Sequence, residues 1–205
     1  MYHDTKMKLL LTFFLFLPVI ISAQSLADLL EEETKHTETT EIEGTFKATR
    51  IVSGQSVEAV PKNELLFIIS HRFGTLNSGV KELYGLDQSL IRLGFEYGLT
   101  DNLTLGIGRS SYQKLVDGFF KYRIVSQKEG AKNVPVSLSL FASTAIFTDV
   151  WPVEERDYKT AHRFYYVYQL MTARKFNDKL SLQISPGIVH RNIVASNSEE
   201  NNVLY

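Results

Sequence analysis

From Phe46 onward, apolar residues recur at alternate positions over long runs. In residues 91–98, Ile91, Leu93, Phe95 and Tyr97 fall on one face of an extended strand. Arg92, Gly94, Glu96 and Gly98 fall on the other. After a turn at Thr100, Asp101 and Asn102, Leu103, Leu105 and Ile107 oppose Thr104, Gly106 and Gly108. Residues 116–125 set Phe120, Tyr122 and Ile124 against Lys121 and Arg123. Residues 134–147 open with Val136, Leu138 and Leu140 against Ser137 and Ser139. Residues 180–189 set Leu180, Leu182 and Ile184 against Ser181, Gln183 and Ser185. Strict alternation predicts strands with one apolar and one polar face. Residues 64–73 and 160–174 complete a set of seven main strands, and 45–52 is a candidate for an additional, early one.

The lengths of these runs matter. Soluble strands average about 5–6 residues, whereas a strand that crosses a bilayer needs about 9–11. Turns at 100–102, 127–133 and 177–179 contrast with longer connections in two of three cases at the other end, 74–88 and 148–160, the third, near Tyr112 to Val116, being short; this is the habit of bacterial outer-membrane barrels. In lipid the backbone finds no hydrogen-bond partner, so a spanning sheet must close on itself. The expected fold is therefore all-β, an antiparallel up-and-down transmembrane β-barrel. Its outward positions are apolar and its lumen positions polar. Gly94, Gly106 and Gly108 fit inward positions where a narrow barrel needs room. Tyr97, Tyr112, Trp151 and Tyr158 fall near strand ends, where interfacial aromatics collect. A soluble secreted sandwich or lipocalin-like barrel is the competing architecture.

Two stretches do not alternate. Lys6 and Lys8 precede a run of mostly apolar residues, 9–21, followed by Ser22 and Ala23. A basic start, a short apolar stretch and a small residue at its end make a secretory signal peptide, residues 1–23, with cleavage after Ala23. A membrane-spanning helix needs about 20 apolar residues, and Pro18 interrupts this run. Residues 24–45 are a polar acidic leader of net charge −6, and residues 46–205, the β-barrel domain, carry net +4. The leader is either solvated or folded into a basic cavity of the domain that follows.

Composition adds exclusions. The 205 residues include no Cys, which excludes a disulfide framework, a thiolate metal site and a Cys nucleophile. The overall net charge of −1 gives no footprint for nucleic acid. His36, His71, His162 and His190 show no metal-ligand spacing. Ser70 and His71 are adjacent in a predicted strand and point to opposite faces, which disfavours their pairing as a hydrolase dyad. No phosphate loop or dinucleotide fingerprint is present. No catalytic residue, cofactor or metal is expected, and a membrane-embedded hydrolase is the weakest alternative. The candidate site is the set of lumen-facing charges Arg72, Arg92, Glu96, Lys121 and Arg123. In a small barrel such charges form internal ion pairs, and in a wider one they line a cavity or pore that favours anions.

Residues 71–74, 83–87, 91–101 and 106–112 carry a resemblance, as do Asp117, Gly118 and Phe119. This pattern resembles a family of predicted outer-membrane β-barrels from Gram-negative bacteria, defined only as a domain of unknown function. The resemblance runs from about Phe46 to the end. It implies a place, the outer membrane after export, and partners, the outer-membrane lipid and the barrel-assembly machinery. It implies no activity. The expected role is structural or transport (pore-like), with a loop-mediated ligand-binding barrel as the alternative. Seven strands are an odd number for a single-chain barrel, and residues 196–205 read as a polar loop. The expectation is therefore a barrel domain incomplete at its C-terminus, unless 45–52 supplies the eighth strand.

Overall fold

The computed structural model describes residues 39–42, 44–52, 54–150, 159–194 and 200–205. The signal segment, the leader up to residue 38, Trp151 and Tyr158 lie outside the described residues. In chain order the strands are β1 (Thr40–Glu41), β2 (Arg50–Ile51), β3 (Gly54–Gln55), β4 (Leu65–Arg72), β5 (Leu90–Gly98), β6 (Leu103–Ser110) and β7 (Val116–Val125). They continue with β8 (Lys128–Glu129), β9 (Ser137–Ile146), β10 (Phe164–Asn177), β11 (Leu180–Ile184), β12 (Gly187–Arg191) and β13 (Asn202–Leu204). The chain divides into two units. In the smaller, β1 pairs antiparallel with β8, and Lys132 N–H donates to Thr39 Oγ1 at 3.1 Å.

The larger unit holds a nine-stranded antiparallel sheet. Its order is β13-β12-β10-β9-β7-β6-β5-β4, with β11 also paired to β10. The sheet is open, with β4 at one edge and β11 and β13 at the other. Its connections run between neighbours in sequence, and the contacts are those of an up-and-down meander. The turns at 99–102 and 178–179 lie at one end of the strands. The connections 73–89 and 111–115 lie at the other, with residues 147–150 and 159–163.

Register explains how burial is distributed. Directly paired residues share a face, so the rows can be followed across the sheet. Phe67 pairs with Phe95, Phe95 with Ile107, Leu105 with Phe120, Phe120 with Ala142, and Ala142 with Tyr168. The large side chains of this row are on the outside of the molecule, Phe67 55% exposed, Phe95 46% and Ile107 64%, while the small Ala142, flanked in register by Phe120 and Tyr168, is shielded. The opposite face carries Glu96, 1% exposed, and Lys121, 0% exposed. This is the reverse of a soluble half-buried sheet, where the apolar face packs on the core. Arg109 and Arg174, which share the outer face, lie near strand ends.

The inner face is covered by the chain's own residues 45–61. This segment has little regular structure, so its buried amides and carbonyls need side-chain partners. The sheet supplies them. Val57 N–H donates to Gln183 Oε1 at 2.9 Å, and Val57 C=O accepts from Ser139 Oγ at 3.0 Å. Val60 N–H donates to Thr104 Oγ1 at 2.9 Å. A small apolar core of Val57, Phe119, Phe141, Met171 and Ala173, with Phe46 and Val167 against it, lies between segment and sheet.

Three sequence expectations change. Residues 45–52 do not add an eighth strand to the sheet. Only Arg50–Ile51 is extended, and it pairs with Gly54–Gln55 in a small hairpin outside the main sheet. Residues 180–189 do not form one strand. Pro186 has no N–H to donate, and the run divides at Ser185 and Pro186 into β11 and β12, both on β10. The end of the chain is not all loop. β13 pairs with β12, and Tyr205 exchanges two backbone hydrogen bonds with Gly187, at 3.0 and 3.1 Å. The Tyr205 ring stands over Gly187, where a Cβ would lie 2.7 Å from Tyr205 Cζ.

Candidate functional site

The inner face gathers the charges. Glu96 on β5 is paired with Arg50 from the covering segment. Arg92, four residues away on the same face, donates from Nε to Asp117 Oδ1 at 2.8 Å and also pairs through Nη2 with Oδ2. Arg123 on β7 reaches Glu58 of the segment at 3.5 Å. Lys121 directs Nζ at the carbonyls of Thr49 and Ser56, at 3.5 and 3.4 Å. The side-chain amide of Gln55 lies among Lys121, Arg50 and Thr49. Each charged group removed from water therefore has a partner, as burial requires.

Glycines make room for this network. Arg92 lies across Gly94 and Gly108: a Cβ there would sit 2.6 Å from Arg92 Nη1 and 2.3 Å from Nη2. A Cβ on Gly106 would sit 2.2 Å from the Phe119 ring, and one on Gly98 2.0 Å from the Pro61 carbonyl oxygen. The inward glycines expected from the alternation are thus a groove into which Arg92, Phe119 and the covering segment settle.

Of the five predicted charges, the fold sets Arg92, Glu96, Lys121 and Arg123 on the covered face. Arg72 follows the same parity by its place beside Ser70, which pairs with Arg92, but it is exposed at the end of β4. The Arg72 side chain makes no ion pair or hydrogen bond among the described residues. Sequence reasoning missed Arg50, Glu58 and Asp117, the three partners. Asp117 was legible as an inward position by parity. Arg50 lies in the two-residue β2 and Glu58 in irregular backbone, both too short of regular structure for a period to be read.

A cavity of about 600 Å³ opens on this face toward the 73–89 and 111–115 connections, lined by Arg50, Arg72, Arg92, Ser70, Ser110 and Asp117 among others. Among the described residues three buried side-chain atoms make no hydrogen bond: Arg50 Nε, Arg92 Nη1 and Glu96 Oε2. Ser70 pairs in register with Arg92 on the inner face, while His71 packs edge-on against Phe73 at 5.6 Å. The two are not joined in a catalytic pair. Among the described residues no group of three or more His, Asp or Glu is arranged to hold a metal ion.

An all-β sheet with an apolar exterior and a charged, internally paired inner face defines a class: membrane-bound β proteins, whose solvent on the outside is lipid. The chain belongs to the family described as "Membrane bound beta barrel domain (DUF5777)", whose model matches residues 46–205. The family description assigns the domain no activity. No curated protein and no solved structure matches the chain.

Proposed function

We propose that this chain is an integral outer-membrane β-barrel protein, delivered by a cleaved export signal, with a structural or pore-like role and no catalysis of its own. The observation that carries the proposal is the inverted burial: Phe67, Phe95 and Ile107 face outward while Glu96 and Lys121 are enclosed. Strands β5, β7, β9 and β10, with 9, 10, 10 and 14 residues, have the length that a tilted span of about 9–11 residues requires. Lipid offers no partner to free edge amides, so in the membrane the edges of β4, β11 and β13 must be paired, which is barrel closure. In this reading the barrel-assembly machinery inserts the strands, and residues 45–61 fill the lumen.

A filled lumen favours a structural or gated role over an open channel. The test is fractionation followed by conductance. The full-length protein is expected in the detergent-extracted outer-membrane fraction and is expected to give small or no conductance steps in planar bilayers. Recovery in the soluble periplasmic fraction without detergent would overturn the membrane assignment. Large, steady conductance would overturn the filled lumen.

A further inference from the structure

We propose that the cavity at the loop end of the inner face binds a small organic anion, one oxyanion group on an apolar body. The site goes beyond the membrane role, because it concerns what the covered face binds and not where the sheet lies.

Three guanidiniums, Arg50, Arg72 and Arg92, line one cavity of about 600 Å³. That volume lies within the range of about 300–1,000 Å³ typical of small-molecule sites. Two of the three are matched by carboxylates, Arg50 by Glu96 and Arg92 by Asp117. Arg72 has no such match among the described residues, so the cavity keeps one cation in excess. Within the matched pairs Arg50 Nε and Arg92 Nη1, with Glu96 Oε2, are buried and make no hydrogen bond among the described residues. Guanidinium forks fit carboxylate and phosphate oxygens in a plane. Ser70 and Ser110 add hydroxyls, and Ile68, Leu90 and Leu115 add apolar wall. Cation, hydroxyls and apolar wall in one cavity match an amphiphilic monoanion better than an inorganic ion or a neutral solute.

Asp117 sets a limit on the ligand. Its carboxylate sits in the same cavity, held by Arg92 through Nε and Nη2. It repels a second negative group, so dianions should bind more weakly than monoanions of the same body.

The experiment uses the full-length protein in non-ionic detergent. Naphthalene-2-carboxylate and its uncharged counterpart naphthalene-2-methanol are titrated by calorimetry. Saturable binding of the carboxylate is expected, at least about tenfold tighter than the alcohol. That ratio corresponds to one charge-assisted contact. Arg72→Gln removes the unmatched cation without breaking an ion pair, and is expected to weaken the carboxylate about tenfold while leaving the alcohol unchanged. Lys62→Gln, remote from the cavity, is expected to change neither. A lipid source is separated from a soluble one by adding phosphatidylglycerol to the micelles: displacement that Arg72→Gln abolishes places a lipid headgroup in the same site. Absence of saturable binding, equal affinity for the alcohol, or an unchanged Arg72→Gln affinity would overturn the proposal. A failure here is separable from a failure of the membrane role, because fractionation reads only the outer face.

Discussion

Arg92 lies flat over Gly108, with a Cβ at Gly108 placed 2.3 Å from Arg92 Nη2. The pair of residues explains why an inward strand position is glycine: the guanidinium occupies the space a side chain would take while it holds Asp117. Gly108→Ala should therefore displace Arg92 and weaken that ion pair. The expected loss is about 1–3 kcal/mol, the cost of a charged, partly buried hydrogen bond. Gly118→Ala is the control, because its nearest neighbour is 3.9 Å away, and should be near neutral. Urea midpoints by circular dichroism in detergent distinguish the two.

The covering segment depends on side-chain acceptors from the sheet. Thr104→Val keeps the shape of the side chain and removes the oxygen that accepts from Val60 N–H, which is buried. An unsatisfied buried amide costs about 1–3 kcal/mol. Limited proteolysis should then cut within residues 45–61 more rapidly than in the unaltered protein, with the main sheet still protected. An unchanged cleavage pattern would mean that the segment is held by something other than these hydrogen bonds.

The outer face should respond to charge by depth. Phe95 sits mid-strand between Phe67 and Ile107, whereas Ile91 is the second residue of β5 and pairs with His71 at the loop end. An outward Arg costs about 2–4 kcal/mol at the bilayer midplane and about 0–1 near the interface. Phe95→Arg should reduce outer-membrane incorporation strongly, Ile91→Arg less, and Phe95→Leu hardly at all. Quantitative blots of membrane fractions give the ranking, and equal losses for Phe95→Arg and Ile91→Arg would contradict it.

Two loops at one end are tethered by Lys114 and Asp149. The Lys114 ammonium, at 2.7 Å, and the Val150 N–H hold the Asp149 carboxyl below its ordinary value. A depressed carboxylate gives stability that is present above its unfolded value and lost as pH falls through its folded value. Amide exchange at Thr148 and Val150, corrected for intrinsic pH dependence, should therefore accelerate in acid. In Asp149→Asn the acid-dependent part should vanish.

Much of the sheet could be read from the period of two, because in strands parity alone assigns a face. Leu93 and Arg92, or Leu105 and Thr104, separate without any knowledge of pairing. The covering segment could not be read. Arg50, Val57 and Glu58 sit in backbone whose hydrogen bonds go to side chains such as Gln183 and Ser139, far away in sequence, so no local pattern records them. Phe119, Phe141 and Met171 share parity with Lys121 and Ser139, so alternation files them as exceptions when they are the core. β13 was missed because three residues are too few to alternate. The division at Pro186 was visible as a missing donor but was masked by apolar residues on both sides of it.

The central claim is that odd-numbered residues of β5 meet lipid and even-numbered ones meet the protein's own interior. The chain contains no cysteine, so single-cysteine variants at positions 91 to 98 carry nitroxide labels without background. In reconstituted liposomes, oxygen accessibility should alternate, high at 91, 93, 95 and 97 and low at 92, 94, 96 and 98. A water-soluble nickel reagent should fail to reach 93 and 95. Free access of the nickel reagent to 93 and 95, or an accessibility profile without a period of two, would contradict the account.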